Sequence, residues 1–132
     1  MRAGWWYDIA IMPLLSHRDH SERPWGSFDR FTLNELSTVK IINIKPHQEL
    51  SLQIHKQRAE FWHILSGGGE VIINDVAHPA KTGDEFESQA GEDHRATAGL
   101  EGLSFLEIAL GDFIESDETR LADDYNRASQ AA

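Results

Sequence analysis

The chain has no cysteine among its 132 residues, so disulfides and thiolate ligands are excluded and any metal must be held by nitrogen and oxygen donors. That usage fits a reducing compartment, and a cytoplasmic location is expected. Cations are scarce: 12 Lys and Arg stand against 22 Asp and Glu, for a formal net charge of −10. So acidic a chain lacks the basic face that nucleic-acid phosphates require, and no nucleic-acid partner is expected. A long hydrophobic run is missing too. The most apolar stretch, residues 5–15, is broken by Asp8 and Pro13 and is too short to span a bilayer, so no membrane association is expected. No small-x-small cleavage site follows it, and it reads as a strand packing on the main body or on a partner subunit rather than as a signal peptide. Between residues 30 and 110 there is no convincing helical period.

What is present is a series of short strand patterns separated by turn residues. Strands are expected at residues 38–45, 51–55, 60–65, 70–73, 76–78, 85–88, 94–98 and 104–110, many of them β-branched and alternating. Pro46 to Glu49, Gly67 to Gly69, Asn74-Asp75, Thr82 to Asp84, Ala90 to Asp93 and Gly99 to Gly102 read as the turns and loops between them. Pro24-Trp25-Gly26 reads as a rigid corner on which Trp25 packs. The hydrophobic content, 40%, suffices for one core. Closely spaced turns and short strands give an all-β sandwich or barrel. The charged segment 117–128 is expected to form one short C-terminal helix, with residues 128–132 frayed beyond it.

The chemistry concentrates in residues 53–60. Side chains alternate along a strand, so Gln53 and His55 share one face while Leu52 and Ile54 share the other. On the next strand Glu60, Trp62 and Ile64 share a face, with His63 opposite. If the two strands pair as neighbours, Glu60 stands close to His55, and an imidazole, a carboxylate and an amide oxygen converge. That set suits a divalent cation such as Zn, Mn, Fe or Co. The alternative is a polar, solvent-facing patch on a hairpin.

The pattern resembles the cupin superfamily, with Gln53-x-His55-x4-Glu60-x6-Gly67 and Gly83-x5-Gln89-x-Gly91-x2-His94 in place of the two cupin motifs. The runs Arg23-Pro24-Trp25-Gly26, Leu50 to His55, Arg58 to Trp62, His94-Arg95 and Asp123 to Arg127 further resemble the type II mannose-6-phosphate isomerase domain. There the corresponding runs are RPWG, LSLQxH, RAExW, HR and DDYGR. The chain departs from it at Asp93, where Pro is usual, at Asn126, where Gly is, and at Ala109, where Gln is common.

The resemblance implies a cupin-type double-stranded β-helix, a jelly-roll barrel, over residues 22–127, after an N-terminal extension at 1–21. It implies metal ligation by Gln53, His55, Glu60 and His94, with zinc the first candidate and Mn, Co or Fe alternatives. The implied reaction interconverts mannose 6-phosphate and fructose 6-phosphate, the metal acting as Lewis acid and a base moving a proton between C2 and C1. In many family members the domain follows a sugar-1-phosphate guanylyltransferase. The chain lacks room for one and lacks its glycine-rich loop, so a stand-alone isomerase domain is expected. A homodimer is expected by analogy with cupins of this size.

Among residues for that reaction, Glu107 is the candidate base, on the strand face of Phe105 and Ala109, with His47 and His63 as others. Arg58, Arg95, Arg120 and Arg127 are candidates for the phosphate, because a guanidinium offers a fixed fork of donors. Arg58 is also a catalytic candidate by its place beside the ligands. Trp62 could line the sugar pocket. Two rival functions are a non-catalytic sugar- or metabolite-binding cupin and another cupin enzyme, a dioxygenase or a sugar-nucleotide epimerase.

Overall fold

The structure, a computed structural model, describes residues 13–114, 116–125 and 127. The frayed tail expected at 128–132 and most of the apolar run 5–15 lie outside the described residues. The chain forms two compact units, Met1–Glu35 and Leu36–Ala132.

In the first unit, β1 (Asp19–Arg23) and β2 (Gly26–Arg30) make an antiparallel hairpin closed by the pair Arg23 and Gly26. Pro24-Trp25 forms its tip. The turn was legible, but the packing of Trp25 was not: its side chain is 73% exposed, because a two-residue tip gives it no neighbouring layer to enter. Arg23 lies over the Phe28 ring at 5.0 Å.

The second unit holds β3 (Ser37–Ile44), β4 (Leu52–Ile54), β5 (Glu60–Ile73), β6 (Val76–Lys81), β7 (Glu85–Ser88), β8 (Asp93–Leu110) and β9 (Thr119–Ala122). All pairings are antiparallel. The two long strands form the spine. β5 pairs with β7 through Glu60 to His63 and with β6 through Gly68 to Ile73. β8 pairs with β4 at Asp93 and His94 and with β3 from Leu103 to Leu110. The spine strands also pair with each other along both halves. One sheet is thus bent into two layers that face each other, which is the double-stranded β-helix. The core between them is built by Trp62, Ile64, Val71, Ala96, Leu103 and Phe105 among others.

The bends explain one difference from the sequence reading. Gly67 to Gly69 and Gly99 to Gly102 are not loops; they lie inside β5 and β8. Glycine is required there by close approach of two backbones. A Cβ on Gly67 would stand 2.1 Å from the Gly102 carbonyl oxygen, and one on Gly69 would stand 1.9 Å from that of Thr97. The register shifts at these points, as a bulged corner demands.

The second difference is the tail. There is no helix among the described residues, and residues 119–122 form β9, paired with β4. Local composition favours a helix, but β4 has an open edge, and a strand satisfies it where a helix could not. No helix among the described residues is long and apolar enough to cross a membrane.

Candidate metal centre

Three candidate ligands, two imidazoles and a carboxylate, meet inside the bent sheet. His55, Glu60 and His94 each offer one donor atom, and these lie within 4.8 Å of one another. His55 is 2% exposed, Glu60 1% and His94 2%, so the cluster is taken out of water. The route by which they meet differs from the expected one. β4 and β5 are not neighbours; β8 lies between them. His94 on β8 sits opposite Gln53 of β4, and Ala109 at the far end of β8 sits opposite Glu60 of β5. Folding the spine brings Glu60 back over His94 and the end of β4.

His55 Nε2 lies 3.4 Å from Glu60 Oε2, and His94 Nε2 lies 3.3 Å from Glu60 Oε1. Ligands about 2.0–2.1 Å from a tetrahedral cation are separated by about 3.3 Å, so these spacings fit one. The orientation fits too. His55 Nδ1 donates to the Asp117 carbonyl oxygen at 2.6 Å, which leaves Nε2 as the lone-pair nitrogen facing Glu60. The contact of His94 with Glu60 Oε1 is close but is not aligned as a hydrogen bond. Oε1 is thus a buried carboxylate oxygen with no well-aligned N–H donor, and the raised Glu107 carboxyl, which shares a hydrogen bond with Glu60, is the other group that can serve the carboxylate. An anionic oxygen is costly in a core unless a donor or a cation completes it.

Arg58 is the cation next to it. Its Nε donates to Glu60 Oε2 at 2.8 Å, its Nη2 lies 3.3 Å from His55 Nε2, and its Nη1 donates to the Ile114 carbonyl at 3.2 Å. The guanidinium lies over the Phe113 ring at 4.1 Å. Burial pushes the Glu60 carboxyl up, but His94, His55 and Arg58 outweigh it and hold the group down at about 2. Burial likewise pushes His55 down, against the pull of Glu60, so the ring is held neutral.

Glu107 lies on the inner face beside Phe105, opposite Trp62 in register and 8% exposed. Burial and then the negative charge of Glu60 push its carboxyl up to about 7. Trp62 is part of the core; it packs edge-on against His94 at 5.3 Å and against Phe105 at 4.5 Å. Gln53 is partly buried, and its amide nitrogen donates to Ser51 Oγ at 2.7 Å, so the oxygen is the atom it has for a cation.

The other arginines are dispersed. Arg120 sits opposite Gln53 on β9, on the face that carries Gln53 and His94. Its Nη2 pairs with Glu118 at 2.8 Å while its Nε is buried without a partner. Arg95 takes the opposite face from His94 and works as a staple: Nε to the Leu50 carbonyl, Nη2 to that of Ala122, Nη1 to Glu49. Arg127 is bound to Asp123 on the rim of an open cleft of about 540 Å³ that Lys45 and Tyr125 also line. His47 is exposed in a loop, and His63 pairs with Glu85 at 2.7 Å. Sequence reasoning missed Phe113, Ile114 and Asp117, which touch Arg58 and His55. They look like surface residues in a polar tail, and no pattern in the sequence marks a partner 62 positions away.

With this geometry the chain can be set beside known proteins. The family described as "Mannose-6-phosphate isomerase C-terminal" matches residues 14–124. The chain belongs to this family. It is 34% identical over 119 residues to the alginate biosynthesis protein AlgA of Pseudomonas aeruginosa, covering 87% of this chain and 25% of that protein. It is 33% identical over 115 residues to mannose-1-phosphate guanylyltransferase of Escherichia coli, covering 84% and 24%. The chain thus spans about a quarter of the length of these relatives. Among solved structures it is similar to an uncharacterized conserved protein with a double-stranded β-helix domain from Klebsiella pneumoniae, with TM-score 0.54, 22% identity, and coverage of 78% and 84%. KdgF from Halomonas sp. gives TM-score 0.56 at 12% identity, with coverage of 73% and 78%. These likenesses carry the fold, and they agree with the bent double-layered sheet of this family member.

Proposed function

We propose that this chain is a divalent-metal-dependent aldose–ketose isomerase acting on mannose 6-phosphate and fructose 6-phosphate. The observation that carries the reading is the buried His55, Glu60 and His94 cluster, with a carboxylate oxygen that lacks a well-aligned N–H donor, in a chain of this family. Gln53 is the fourth donor, since it shares the face of His94. A cation held there, zinc first and Mn, Co or Fe as alternatives, supplies Lewis acidity to the sugar's carbonyl and hydroxyl oxygens.

The chain's own residues do the rest. Glu107 is the base: a carboxyl whose proton affinity lies near neutrality can take the proton from one sugar carbon and return it to its neighbour. Arg58 holds the Glu60 carboxylate in place and adds positive charge beside the reacting centre. Arg120 is the best placed of the remaining arginines for the phosphate, because it lies on the ligand face with an unspent Nε. Arg95 and Arg127 would first have to leave their present partners. Trp62 acts through His94 as packing rather than as an open stacking surface. The protein works as a homodimer in this reading.

A coupled assay for fructose 6-phosphate formation tests the proposal. After chelation, activity is expected to vanish, to return with a divalent metal, and to be absent in His55→Ala and Glu60→Gln. A folded, metal-binding chain that turns over no mannose 6-phosphate with any of these metals overturns it.

A further inference from the structure

Asp117 makes three bonds to one short piece of chain. Its backbone carbonyl accepts from His55 Nδ1 at 2.6 Å, its Oδ1 from the Lys56 N–H at 2.9 Å, and its Oδ2 from the Gln57 N–H at 2.8 Å. The side chain is 9% exposed, so these bonds form largely out of water. The two amides belong to the turn that begins where His55 ends, and the His55 carbonyl is held from the other side by the Gly91 N–H at 2.8 Å. The turn is thus clamped by the carboxylate of the same residue whose carbonyl faces the imidazole.

We propose that Asp117 is a positioning residue that fixes the tautomer and ring orientation of His55. The proposal rests on the metal reading above for its functional meaning, though not for its geometry. A neutral imidazole has one N–H and one lone pair, and the partner of one nitrogen decides the state of the other. With Nδ1–H committed to the Asp117 carbonyl, Nε2 presents its lone pair toward Glu60, and the Arg58 Nη2 that faces Nε2 is a donor. The carboxylate clamp ties this residue directly to the turn that carries the ring, beside the β4–β9 pairing of Ile54 with Thr119 and the Arg58 bond to the Ile114 carbonyl. Released from the clamp, the carbonyl can drift, and the imidazole is free to protonate Nε2 and lose its donor. A ligand's outer partner of this kind is worth about 10–100-fold in metal affinity.

The experiment uses the full metal-free chain, labelled with ¹⁵N. Histidine nitrogen shifts report the His55 tautomer, and competition with a chromophoric chelator reports zinc affinity. The wild type is expected to hold His55 as the Nδ1–H tautomer. Asp117→Ala is expected to shift it toward Nε2–H or a mixture and to weaken zinc binding by about 10–100-fold. Asp117→Asn, which keeps an acceptor for one of the two amides, is expected to fall between, and it decides the question if the alanine variant does not fold. A folded variant with the wild-type tautomer and wild-type zinc affinity overturns the proposal, as does an Nε2–H tautomer in the wild type. If the wild type binds no zinc, the metal reading fails, while the tautomer comparison still decides the role of Asp117.

Discussion

Two groups of histidines and carboxylates in this protein differ mainly in where they sit. On the hairpin, His20 lies 3.0 Å from Asp29 and 2.5 Å from Glu22, closer than either contact within the inner cluster. Inside the bent sheet, the corresponding separations are 3.3 and 3.4 Å. The shorter contacts are the less informative ones. His20 is half exposed, each of its nitrogens already has a partner, and water and salt screen the pairs. The inner cluster is buried, and one of its carboxylate oxygens lacks a well-aligned N–H donor. Burial with an unmet demand makes a site; proximity alone makes a surface ion pair.

The largest effects are expected at the candidate ligands. Glu60→Gln and His55→Ala are expected to abolish zinc binding measured by calorimetry, whereas His20→Ala is expected to leave it unchanged. Arg58→Met comes next. It removes the closest donor from a buried carboxylate, which is expected to destabilise the metal-free protein by about 3–5 kcal/mol in urea unfolding. Added zinc should restore part of that loss. A change as small as that of an exposed pair would place Arg58 in the same class as the hairpin.

A smaller effect is the pH dependence of metal-free stability. Glu60 is lowered from 4.5 to about 2, so its contribution is present above pH 4.5 and is lost as pH falls toward 2. Glu107 is raised from 4.5 to about 7, so its contribution is complete below pH 4.5 and is lost as pH rises through 7. His55, lowered by burial, acts in the opposite sense to Glu107: its contribution is present above pH 6.5 and is lost as pH falls below it. The difference between wild type and Glu107→Gln isolates the Glu107 part. Urea melts across pH 4–8 should show the wild type losing stability relative to the variant as pH rises; parallel curves would remove Glu107 from the low-dielectric interior. The smallest expected effect is on the hairpin, where His20→Ala should leave the melting temperature within error.

How much of this was legible follows from the range over which each feature is decided. The Asn74-Asp75 turn was readable because two consecutive positive φ angles, 50° and 66°, are what these residues tolerate in a tight hairpin. The alternation that puts Glu60, Trp62 and Ile64 on one inner face is equally local, and the family resemblance pointed to His94. The glycine corners were misread because their reason lies across the sheet: Gly69 is set by Thr97, not by its neighbours in sequence. β9 was misread as a helix because the edge it satisfies belongs to β4, far upstream. Asp117 was missed for the same reason. His55 and Glu60 were expected to meet through direct pairing of their strands, and they meet through β8 instead.

In the proposed reading, the inner cluster of His55, Glu60 and His94 holds one divalent cation. The most direct measurement is a zinc titration of the chelated full chain by calorimetry, repeated with Glu60→Gln. Saturation at one equivalent per chain, lost in the variant, is what the proposed metal reading predicts. Absence of saturable binding, or binding that Glu60→Gln leaves intact, would contradict it.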